Sequence, residues 1–473
     1  MHQRAGLIVV AIWAGLAGVA VELAAGADEP QTERVYYDAL DEQGHLVGGV
    51  VEMGVPEVTI RRQQQNVRGG AGDNRVDIVF VGDGYTAGEM GQFHTDVATA
   101  VSQLFQYEPF KSYETYFQIH EVEVVSNESG VDNDPTQGIS RDTALDMSFW
   151  CSGTERLLCV NVNKAYSFAN QVGDVDQVIA LANSSKYGGA GYTSSDLATC
   201  SGHNGSAPQI AIHELGHSLG DLADEYDYGG ATTWTGGEPS AKNASIYEAA
   251  QMADESRKWH QWLGYGPDTR FDGTVGTFEG CNYSVFGIYR PSNNSMMRSL
   301  NRKFNAPSAE RLIRAIYVEV DPIEDHTSNA APIASNGTVS VTPMQPIGHS
   351  LDVTWTLDGV EIPGTSGQTT VDLSAVGIVA DGVVRATVVD NTDMVRDESV
   401  RSNWLTSYVE WVVTAVGCGP ADIDGDGDLD LDDVNAFAAA FIAGDLAADV
   451  NDDGILNLDD VGTFAGAFVA GCP

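Results

Sequence analysis

Two histidines and a glutamate form the clearest chemical pattern in the chain, the motif HELGH at residues 213–217. On a helix, His213 and His217 lie one turn apart on the same face, so both imidazoles can bind one zinc ion. Glu214 then lies beside that ion, where it can take a proton from water and later return it to the leaving group. The apolar run APQIAI precedes the motif, as expected for a helix that crosses a core. The pattern predicts a zinc hydrolase with Glu214 as its catalytic residue.

A zinc site of this kind needs a third protein ligand. In the pattern HExxHxxGxxH that ligand is a histidine, but here its position holds Ala223, which cannot bind a metal. Gly220 keeps its place and lets the helix end and the chain turn back, so the ligand should come from just beyond Ala223. We favour Asp224, as if the loop had gained one residue. Glu225, whose side chain is longer, and the distant Glu279 are the alternatives.

A methionine pair, Met296 and Met297, lies downstream of the histidines in the segment NNSMMRSL. Some zinc peptidases with the HExxH motif place a methionine on a tight turn beneath the metal. Either residue is a candidate for such a Met-turn. The alternative is that both are ordinary core residues, because methionine often fills irregular gaps in apolar cores.

The C-terminal part of the chain contains a repeat. The segments DIDGDGDLDLDD and DVNDDGILNLDD share one pattern, and the apolar segments VNAFAAAFIAG and VGTFAGAFVAG follow them. Oxygen side chains at alternate loop positions, with a glycine at the bend, are typical of EF-hand-like calcium loops. The predicted calcium ligands are Asp422, Asp424, Asp426, Asp430 and Asp433 in the first loop, and Asp449, Asn451, Asp453, Asn457 and Asp460 in the second.

The duplicated unit resembles a dockerin, the calcium-dependent module that attaches an exported enzyme to a cohesin. The resemblance covers residues 418–473 and implies a small α-helical module with a cohesin-type partner. The last ligand of each loop is an aspartate here, instead of the glutamate of a helix-loop-helix EF-hand. The phenylalanines of the apolar segments are expected either in the module core or against the partner.

The chain is strongly acidic, with a formal net charge of -43. Such a surface repels nucleic acids and anionic membranes, so neither is expected as a partner. Residues 1–27 combine Arg4, an apolar run and the small residues of AGA, a pattern typical of a cleaved secretory signal. We therefore expect a secreted protein, extracellular or associated with the cell surface, and a retained membrane anchor is the alternative. No later run is long and apolar enough to span a bilayer.

Six cysteines fit an exported protein in an oxidising compartment. None has the paired CxxC spacing of a thiolate zinc site. One pair flanks a short loop, one would join segments on either side of the HELGH helix, and one would clasp the ends of the small C-terminal module. The predicted pairs are Cys151 with Cys159, Cys200 with Cys281, and Cys418 with Cys472.

The patterning divides the mature chain into four regions. Residues 28–72 hold short alternating runs, RVYYDAL and PEVTIRR, which predict a few strands. Strands alternate with helices over residues 73–325, which predicts an α/β catalytic domain. Short strands with polar turns over residues 330–416 predict a β-sandwich with Trp355 and Trp411 in its core. The C-terminal module occupies residues 418–473.

Within the α/β region, the continuous apolar run VDIVFVGDGYT predicts a buried strand. Thr86 and Glu89 then form a plausible capping box, and apolar residues at helical spacing from Met90 to Leu104 predict an amphipathic helix. Further strands are predicted at FQIHEVEVV, RLLCVNV and QVIALAN, and PSAERLIRAIYVEV is expected to close the domain.

Six blocks of the sequence, in order, resemble the IgA metallopeptidase family: VFVGDGYTAGEM, EPFKSY, SKYGGAGY, HELGHSLGDLADEY, YRPSNNSMMR and VVDNTDMVRDE. The similarity runs from roughly residue 75 to residue 415. It implies a metzincin-like zinc endopeptidase accompanied by a β-sandwich. It also implies that KYGGAGY is a substrate-binding edge beside the zinc and that Tyr283 or Tyr289 stabilises the oxyanion. The family is named for immunoglobulin cleavage, but the dockerin-like tail favours other protein substrates.

The sequence as a whole predicts a secreted zinc endopeptidase that acts on proteins or peptides and carries a calcium-binding module. One alternative is a secreted binding or scaffold protein whose zinc site no longer hydrolyses, although a purely structural site would not need Glu214. The other is a zinc hydrolase of a non-peptide bond, such as a glycan deacetylase. It is favoured only by the kinds of enzyme that usually carry a dockerin.

Overall fold

The computed structural model describes residues 32–37, 48–55, 74–227, 231–425, 427 and 429–471. The predicted signal at residues 1–27 lies outside the described residues, as do the predicted strand PEVTIRR, the calcium candidate Asp426 and Cys472. Among the described residues, no helix is both long and apolar enough to cross a membrane.

A mixed sheet forms the centre of the α/β region, with the strand order β2-β1-β6-β7-β5-β3-β4. Strands β3, β4, β5 and β7 run parallel to their neighbours among these four, whereas β6 is antiparallel to β7 and β1 is antiparallel to both β6 and β2. The strands are β1 Thr32–Tyr37, β2 Gly49–Gly54, β3 Val76–Asp83, β4 Phe117–Val122, β5 Gln177–Ala182, β6 Gly189–Tyr192 and β7 Leu197–Ser201. Every residue of β3, β5, β6 and β7 is buried, as expected where helices or loops cover both faces of a sheet.

Five helices and a hairpin accompany this sheet: α1 Met90–Leu104, α2 Val162–Ala169, α3 Ala207–Ser218, α4 Ala249–Asp254, α5 Ala306–Glu319, with β8 Phe278–Cys281 and β9 Ser284–Arg290. The capping box predicted at Thr86 and Glu89 is confirmed, because the Glu89 carboxylate accepts the Thr86 N–H at 2.9 Å. The strand predicted at RLLCVNV is wrong. Its residues make only isolated bridges, and Asn161 then caps α2 by accepting the Lys164 N–H, which favours a helix.

Two smaller sheets follow, as the alternating pattern of residues 330–416 predicts. One contains β10 Ile323–His326, β12 Thr338–Pro343 and β15 Thr370–Asp372, and the other contains β11 Ile333–Ala334, β13 Asp352–Leu357, β14 Val360–Glu361, β16 Gly382–Val389 and β17 Thr406–Thr414. The short helix α6 Glu398–Trp404 precedes β17. Trp355 and Trp411 are fully buried and stacked with their ring centroids 5.7 Å apart, which confirms them as core residues.

The C-terminal repeat forms two helices, α7 Leu431–Ala443 and α8 Leu458–Ala470. Their apolar faces meet where Phe437 and Phe464 stack with ring centroids 4.2 Å apart. The buried set here is small and consists of Ala421, Phe437, Ala448 and Phe464. The predicted helical module is therefore present, with a core too slight to provide much apolar stabilisation.

The cysteines follow the predictions only in part. The disulfide between Cys151 and Cys159 is confirmed. The pairing of Cys200 with Cys281 is wrong, because both are free, buried thiols that belong to different apolar clusters. Burial raises the pKa of both thiols, so both stay neutral. The partner predicted for Cys418, Cys472, lies outside the described residues.

Candidate metal centre

Helix α3 carries the HELGH motif through the interior of the α/β region. Its residues from Gln209 to Ser218 are all buried, as the apolar run before the motif predicts. The helix passes beneath β6 and β7 on one side. On another side, the sulfur of Met297 lies 2.7 Å from the position a Cβ would take at Gly216, so a larger residue there would displace the Met297 side chain. The motif is thus fixed by packing on more than one face.

Backbone carbonyls orient both histidine rings. Nδ1 of His213 donates to the carbonyl of Met296 at 2.9 Å, and Nδ1 of His217 donates to the carbonyl of Leu222 at 2.6 Å. A carbonyl oxygen can only accept, so each Nδ1 carries a hydrogen. In a neutral imidazole the other nitrogen, Nε2, then offers a lone pair. Both Nε2 atoms are therefore prepared as metal ligands.

Asp224 completes a group of three converging acceptors. Its Oδ1 atom lies 3.1 Å from Nε2 of His213 and 3.3 Å from Nε2 of His217, and the two Nε2 atoms are 3.1 Å apart. One shared proton can join only two of these three atoms, so the two contacts of the remaining atom are not bridged, whereas one larger cation can bind all three. Bonds of 2.0–2.1 Å around a tetrahedral zinc would place its ligand atoms about 3.3 Å apart. The donor set therefore fits zinc.

The charge of Asp224 suits this place. Burial raises its pKa, but whenever a histidine Nε2 carries a proton instead of a metal, the positive charge and the hydrogen bond to Asp224 outweigh burial and hold the pKa below its usual range. The carboxylate is thus ionised at neutral pH, as a metal ligand must be.

Glu225, the first alternative ligand, has other partners. Its buried carboxylate accepts hydrogen bonds from Asn243 at 3.0 Å, Ser295 at 2.7 Å and Asn305 at 2.8 Å. Burial raises its pKa, and these donors only partly offset the effect. Glu225 therefore ties the loop after α3 to the methionine segment and to the residue that caps α5.

Glu279, the second alternative, also lies apart from the histidines. It is exposed on β8, where its carboxylate accepts the Gly287 N–H at 3.0 Å. Among the residues that the structure describes, the group suited to a metal at the motif is His213, His217 and Asp224.

The methionine pair lies directly against the motif. Met296 supplies the carbonyl that orients His213, and Met297 packs its sulfur at Gly216. The Met297 carbonyl accepts the Glu225 N–H at 2.7 Å, and both methionine side chains are fully buried. The turn thus supports the helix and the ligand loop together.

Glu214 faces strand β6. A Cβ at Gly191 would lie 2.8 Å from Oε2 of Glu214, and one at Gly189 would lie 3.5 Å from Oε1. Gly191 of KYGGAGY therefore provides space that the glutamate carboxylate occupies, whereas a Cβ at Gly189 would first meet Ile210 and Thr199. The spacing of the glycines in the sequence gave no sign of this role.

Comparison with known proteins agrees with this geometry. The model of the IgA peptidase M64 family matches residues 67–270 and 265–316, a span of more than half of the 473 residues. The chain belongs to the IgA peptidase M64 family. No curated protein matches it. The M64 match confirms the resemblance inferred from the sequence blocks and makes the protein a peptidase, which acts on proteins or peptides.

One tyrosine of this M64 peptidase contacts the candidate metal centre. The Tyr283 hydroxyl donates to Oδ2 of Asp224, the oxygen that faces away from the histidines. Tyr283 and Asn282 both adopt left-handed backbone conformations at the β8–β9 turn, and the Asn282 N–H donates to the Asp224 carbonyl at 2.9 Å. Tyr289 instead donates to Glu248, and burial with that contact raises its pKa to about 12.

A second tyrosine at the M64 site was missed by the sequence analysis. The Tyr36 ring stacks on the His217 imidazole with centroids 4.2 Å apart and planes 9° from parallel. The segment RVYYDAL indicated only a strand, and nothing in its spacing linked it to a histidine far along the chain. A contact of this kind depends on strand order, which local patterns do not report.

The first C-terminal loop of the M64 protein gathers Asp422, Asp424 and Asp433, whose carboxylate oxygens lie within 4.8 Å of one another. Asp430 acts as the N-cap of α7 by accepting the Asp432 N–H at 2.7 Å. Asp433 accepts the N–H of Asp430 at 3.0 Å, so these two residues also form a capping box.

The second loop repeats this arrangement with Asn457 as the N-cap of α8 and Asp460 as its capping partner. The Oδ1 atom of Asp460 is buried and makes no hydrogen bond within the described part of the chain. Asp449 accepts the Gly454 N–H at 2.8 Å, and Asn451 accepts the Asp453 N–H at 3.0 Å. The orphaned oxygen of Asp460 fits a bound hard cation.

Proposed function

We propose that this M64 peptidase is a secreted zinc-dependent endopeptidase. One observation carries the proposal: two imidazole lone pairs and an ionised carboxylate converge within 3.3 Å, on the helix and loop that also bear Glu214. A purely structural site would need neither this glutamate nor Gly191, which makes room for it.

His213, His217 and Asp224 would hold the zinc in this proposal. When bound, zinc polarises the scissile carbonyl and lowers the pKa of water. Glu214 removes the proton from the attacking water and delivers it to the leaving amine. Its placement one residue after the first histidine keeps its carboxylate on the β6 side of the helix, as its approach to Gly191 supports.

Tyr283 is assigned to the developing oxyanion. Its hydroxyl already lies beside Asp224, whereas Tyr289 is engaged with Glu248. A phenol that donates to a carboxylate in the resting site can donate instead to a carbonyl oxygen that gains negative charge. Together with the buried methionine turn, this arrangement supports a metzincin-like site in which aspartate replaces the third histidine.

The C-terminal repeat is proposed to be a dockerin-like calcium module that binds a cohesin-type partner. The three grouped carboxylates of the first loop and the orphaned oxygen of Asp460 in the second support calcium binding. Export through a cleaved signal at residues 1–27 is proposed from the sequence pattern and agrees with the disulfide between Cys151 and Cys159.

The decisive experiment incubates the purified chain with a mixed peptide library, with and without a zinc chelator, and maps cleavage by mass spectrometry. Cleavage within peptides that stops with chelator and returns with zinc is the expected result, and the Glu214→Gln protein is the matched control. Peptide binding without cleavage would indicate a scaffold protein. Deacetylation of a glycan without peptide cleavage would indicate the other zinc hydrolase.

A further inference from the structure

Strand β1 lies along the edge of β6 next to the candidate metal centre. The two strands pair antiparallel, with Val35 opposite Tyr192 and Tyr36 opposite Gly191. Gly191 is also the residue whose missing Cβ makes room for Glu214. The main chain of β1 therefore lies about 5 Å from that of Gly191, the residue that faces the catalytic glutamate.

The side chain of Tyr36 covers the motif from this strand. Opposed residues of an antiparallel pair point to the same face of the sheet, so Tyr36 follows the direction of Gly191 toward α3. Its ring stacks on His217, and only 7% of its surface is exposed. Next to β2, a Cβ at Gly48 would lie 2.1 Å from the Tyr226 hydroxyl, so the hairpin also packs closely on the ligand loop.

The groups proposed for catalysis are closed off from solvent in this arrangement. The exposed fraction is 0% for His213, Glu214, His217 and Asp224. A peptide cannot reach an ion or a glutamate at that depth, so some part of the structure must move before a substrate binds.

The attachment of β1 makes it the segment best suited to move. It pairs with β6 at two residue positions, against six with β2, so the hairpin is joined more strongly to itself than to the sheet. Among the described residues, the polar links of β1 beyond this pairing include those to residues 193–195. Glu33 accepts from the Ser195 hydroxyl at 2.6 Å and the Ser194 N–H at 3.2 Å, and the Arg34 carbonyl accepts from the Thr193 hydroxyl at 3.2 Å and the Thr193 N–H at 3.4 Å. Helix α3, by contrast, is buried along almost its whole length.

A cleft lies beside this strand, next to the ligand loop. It encloses about 410 Å³ and is lined by Arg34 and Tyr36 of β1 on one wall and by Leu222, Ala223 and Trp234 on others. Leu222 and Ala223 directly precede the ligand Asp224. Withdrawal of β1 would remove one wall and join the cleft to the metal centre.

We infer that β1 is a resident occupant of the β6 edge, the edge that the family resemblance assigns to the substrate, and that β1 must leave before an extended segment of a protein substrate binds. The inference rests on the proposed function and adds a step before it, the withdrawal of β1. Such a segment would add to β6 through main-chain hydrogen bonds, as peptides commonly add to a free sheet edge. Its antiparallel course past Gly191 would bring a peptide bond next to Glu214.

The first test compares Tyr36→Ala with Tyr37→Ala in the full chain. Both residues belong to β1, but successive side chains point to opposite faces, and only Tyr36 contacts His217. An aromatic stacking contact contributes ~0.5–1.5 kcal/mol, so its loss should raise the open population about 2- to 10-fold. Zinc transfer to a chromophoric chelator and hydrolysis of a quenched peptide should both accelerate by that factor for Tyr36→Ala alone.

The second test fixes β1 to β6 reversibly. Arg34 and Thr193 lie opposite each other at the solvent-accessible end of the pairing, so Arg34→Cys with Thr193→Cys offers a cross-strand disulfide. The oxidised protein should lose peptide hydrolysis and release zinc more slowly, and a reductant should restore both. Wild-type protein under the same oxidant and reductant controls for the native disulfide.

The two readouts separate the inference from the proposed function. Altered zinc release without any peptide hydrolysis in any variant would support occlusion by β1 and reject the endopeptidase. If the Arg34→Cys/Thr193→Cys protein hydrolysed peptides and released zinc at equal rates in its oxidised and reduced forms, β1 would not need to leave. That result would overturn the inference. A loss of activity in Tyr36→Ala with unchanged zinc release would likewise overturn it, because Tyr36 would then assist the reaction.

Discussion

The candidate metal centre and the C-terminal loops both gather side chains suited to a cation, but in opposite surroundings. At the metal centre, three fully buried side chains are oriented by backbone carbonyls and by a ligand loop that Glu225 anchors. In the C-terminal repeat, most of the loop carboxylates are at least partly exposed, and many of them satisfy backbone N–H groups of their own loop. The first site is positioned by a large core, and the second has almost no core to position it.

This difference indicates whether the free energy of cation binding mainly serves chemistry or mainly stabilises the fold. A site built by a packed core exists before the ion arrives, so the ion chiefly adds chemistry. Loops that carry many like charges and little apolar contact repel themselves, so the ion contributes much of their folding free energy. Removal of a ligand should therefore change activity at the first site and folding at the second.

The largest effect is expected for Glu214→Gln, which keeps the shape of the side chain but cannot accept a proton. The rate of peptide hydrolysis should fall by ~10²–10⁴-fold while zinc content and melting temperature are unchanged. Glu279→Gln, on an exposed strand, is the matched control and should hydrolyse peptides normally. Normal turnover by a zinc-loaded Glu214→Gln protein would remove the proposed mechanism.

The next effect concerns the third ligand. Asp224→Ala should lower zinc affinity by more than ~100-fold, because it deletes one of three converging ligand atoms. Glu225→Gln should lower it by ~10–100-fold only, through looser positioning of the ligand loop. Competition with a chromophoric chelator measures both.

Glu279→Ala again serves as the control for the ligand series, since Glu279 lies away from the histidines. If Asp224→Ala retained full zinc affinity while Glu225→Ala or Glu279→Ala lost it, the assignment of Asp224 would be wrong.

Calcium should decide whether α7 and α8 are folded. Hydrogen exchange should show rapid exchange of both helices when calcium is withdrawn, with α3 still protected in the same molecules. Asp433→Ala should weaken the protection of α7 by about 0.5–2 kcal/mol even in calcium, since it removes a capping partner and a loop carboxylate. Asp432→Ala, exposed in the same turn, is its control. If α7 and α8 were equally protected from hydrogen exchange with and without calcium, the C-terminal repeat would not depend on the ion for folding, and the contrast with the candidate metal centre would be wrong.

The smallest expected effect is a gain of stability, whereas the preceding substitution destabilises the fold. Burial, helped by the charge of Glu319, raises the pKa of Asp176 from 3.8 to about 8. The folded chain thus holds a proton that the unfolded chain has lost, and stability falls as pH rises through this window. Asp176→Asn should raise the melting temperature by a few degrees, more at a pH of about 8.5 than at about 5. Asp174→Asn, at a less buried position two residues away, is the matched control.

Local patterns predicted the elements whose causes are local. The buried strand β3, helix α1 with its capping box, the HELGH helix and the duplicated loops all depend on spacing within a few turns of chain. The strand predicted at RLLCVNV was wrong because a polar cap at Asn161 outweighed the apolar run.

Long-range contacts account for what the sequence could not predict. The stack of Tyr36 on His217 needs the strand order that places residue 36 opposite residue 191. The role of Glu225 needs Asn243, Ser295 and Asn305 to meet around one carboxylate, although they are far apart along the chain. The chain spacing around HELGH left three carboxylates open as third ligands, and only the folded geometry separates them.

The position of β6 between β7 and β1 also bears on colloidal behaviour. With β1 in place the glycine-rich strand has neighbours on both sides, and Gly191 and Tyr192 pair with β1. Without β1 it becomes a flat edge with little side-chain bulk, the kind of edge that recruits strands from other molecules. A preparation that has lost residues 32–54 should therefore self-associate at concentrations where the full chain stays monodisperse, unless a peptide occupies the edge.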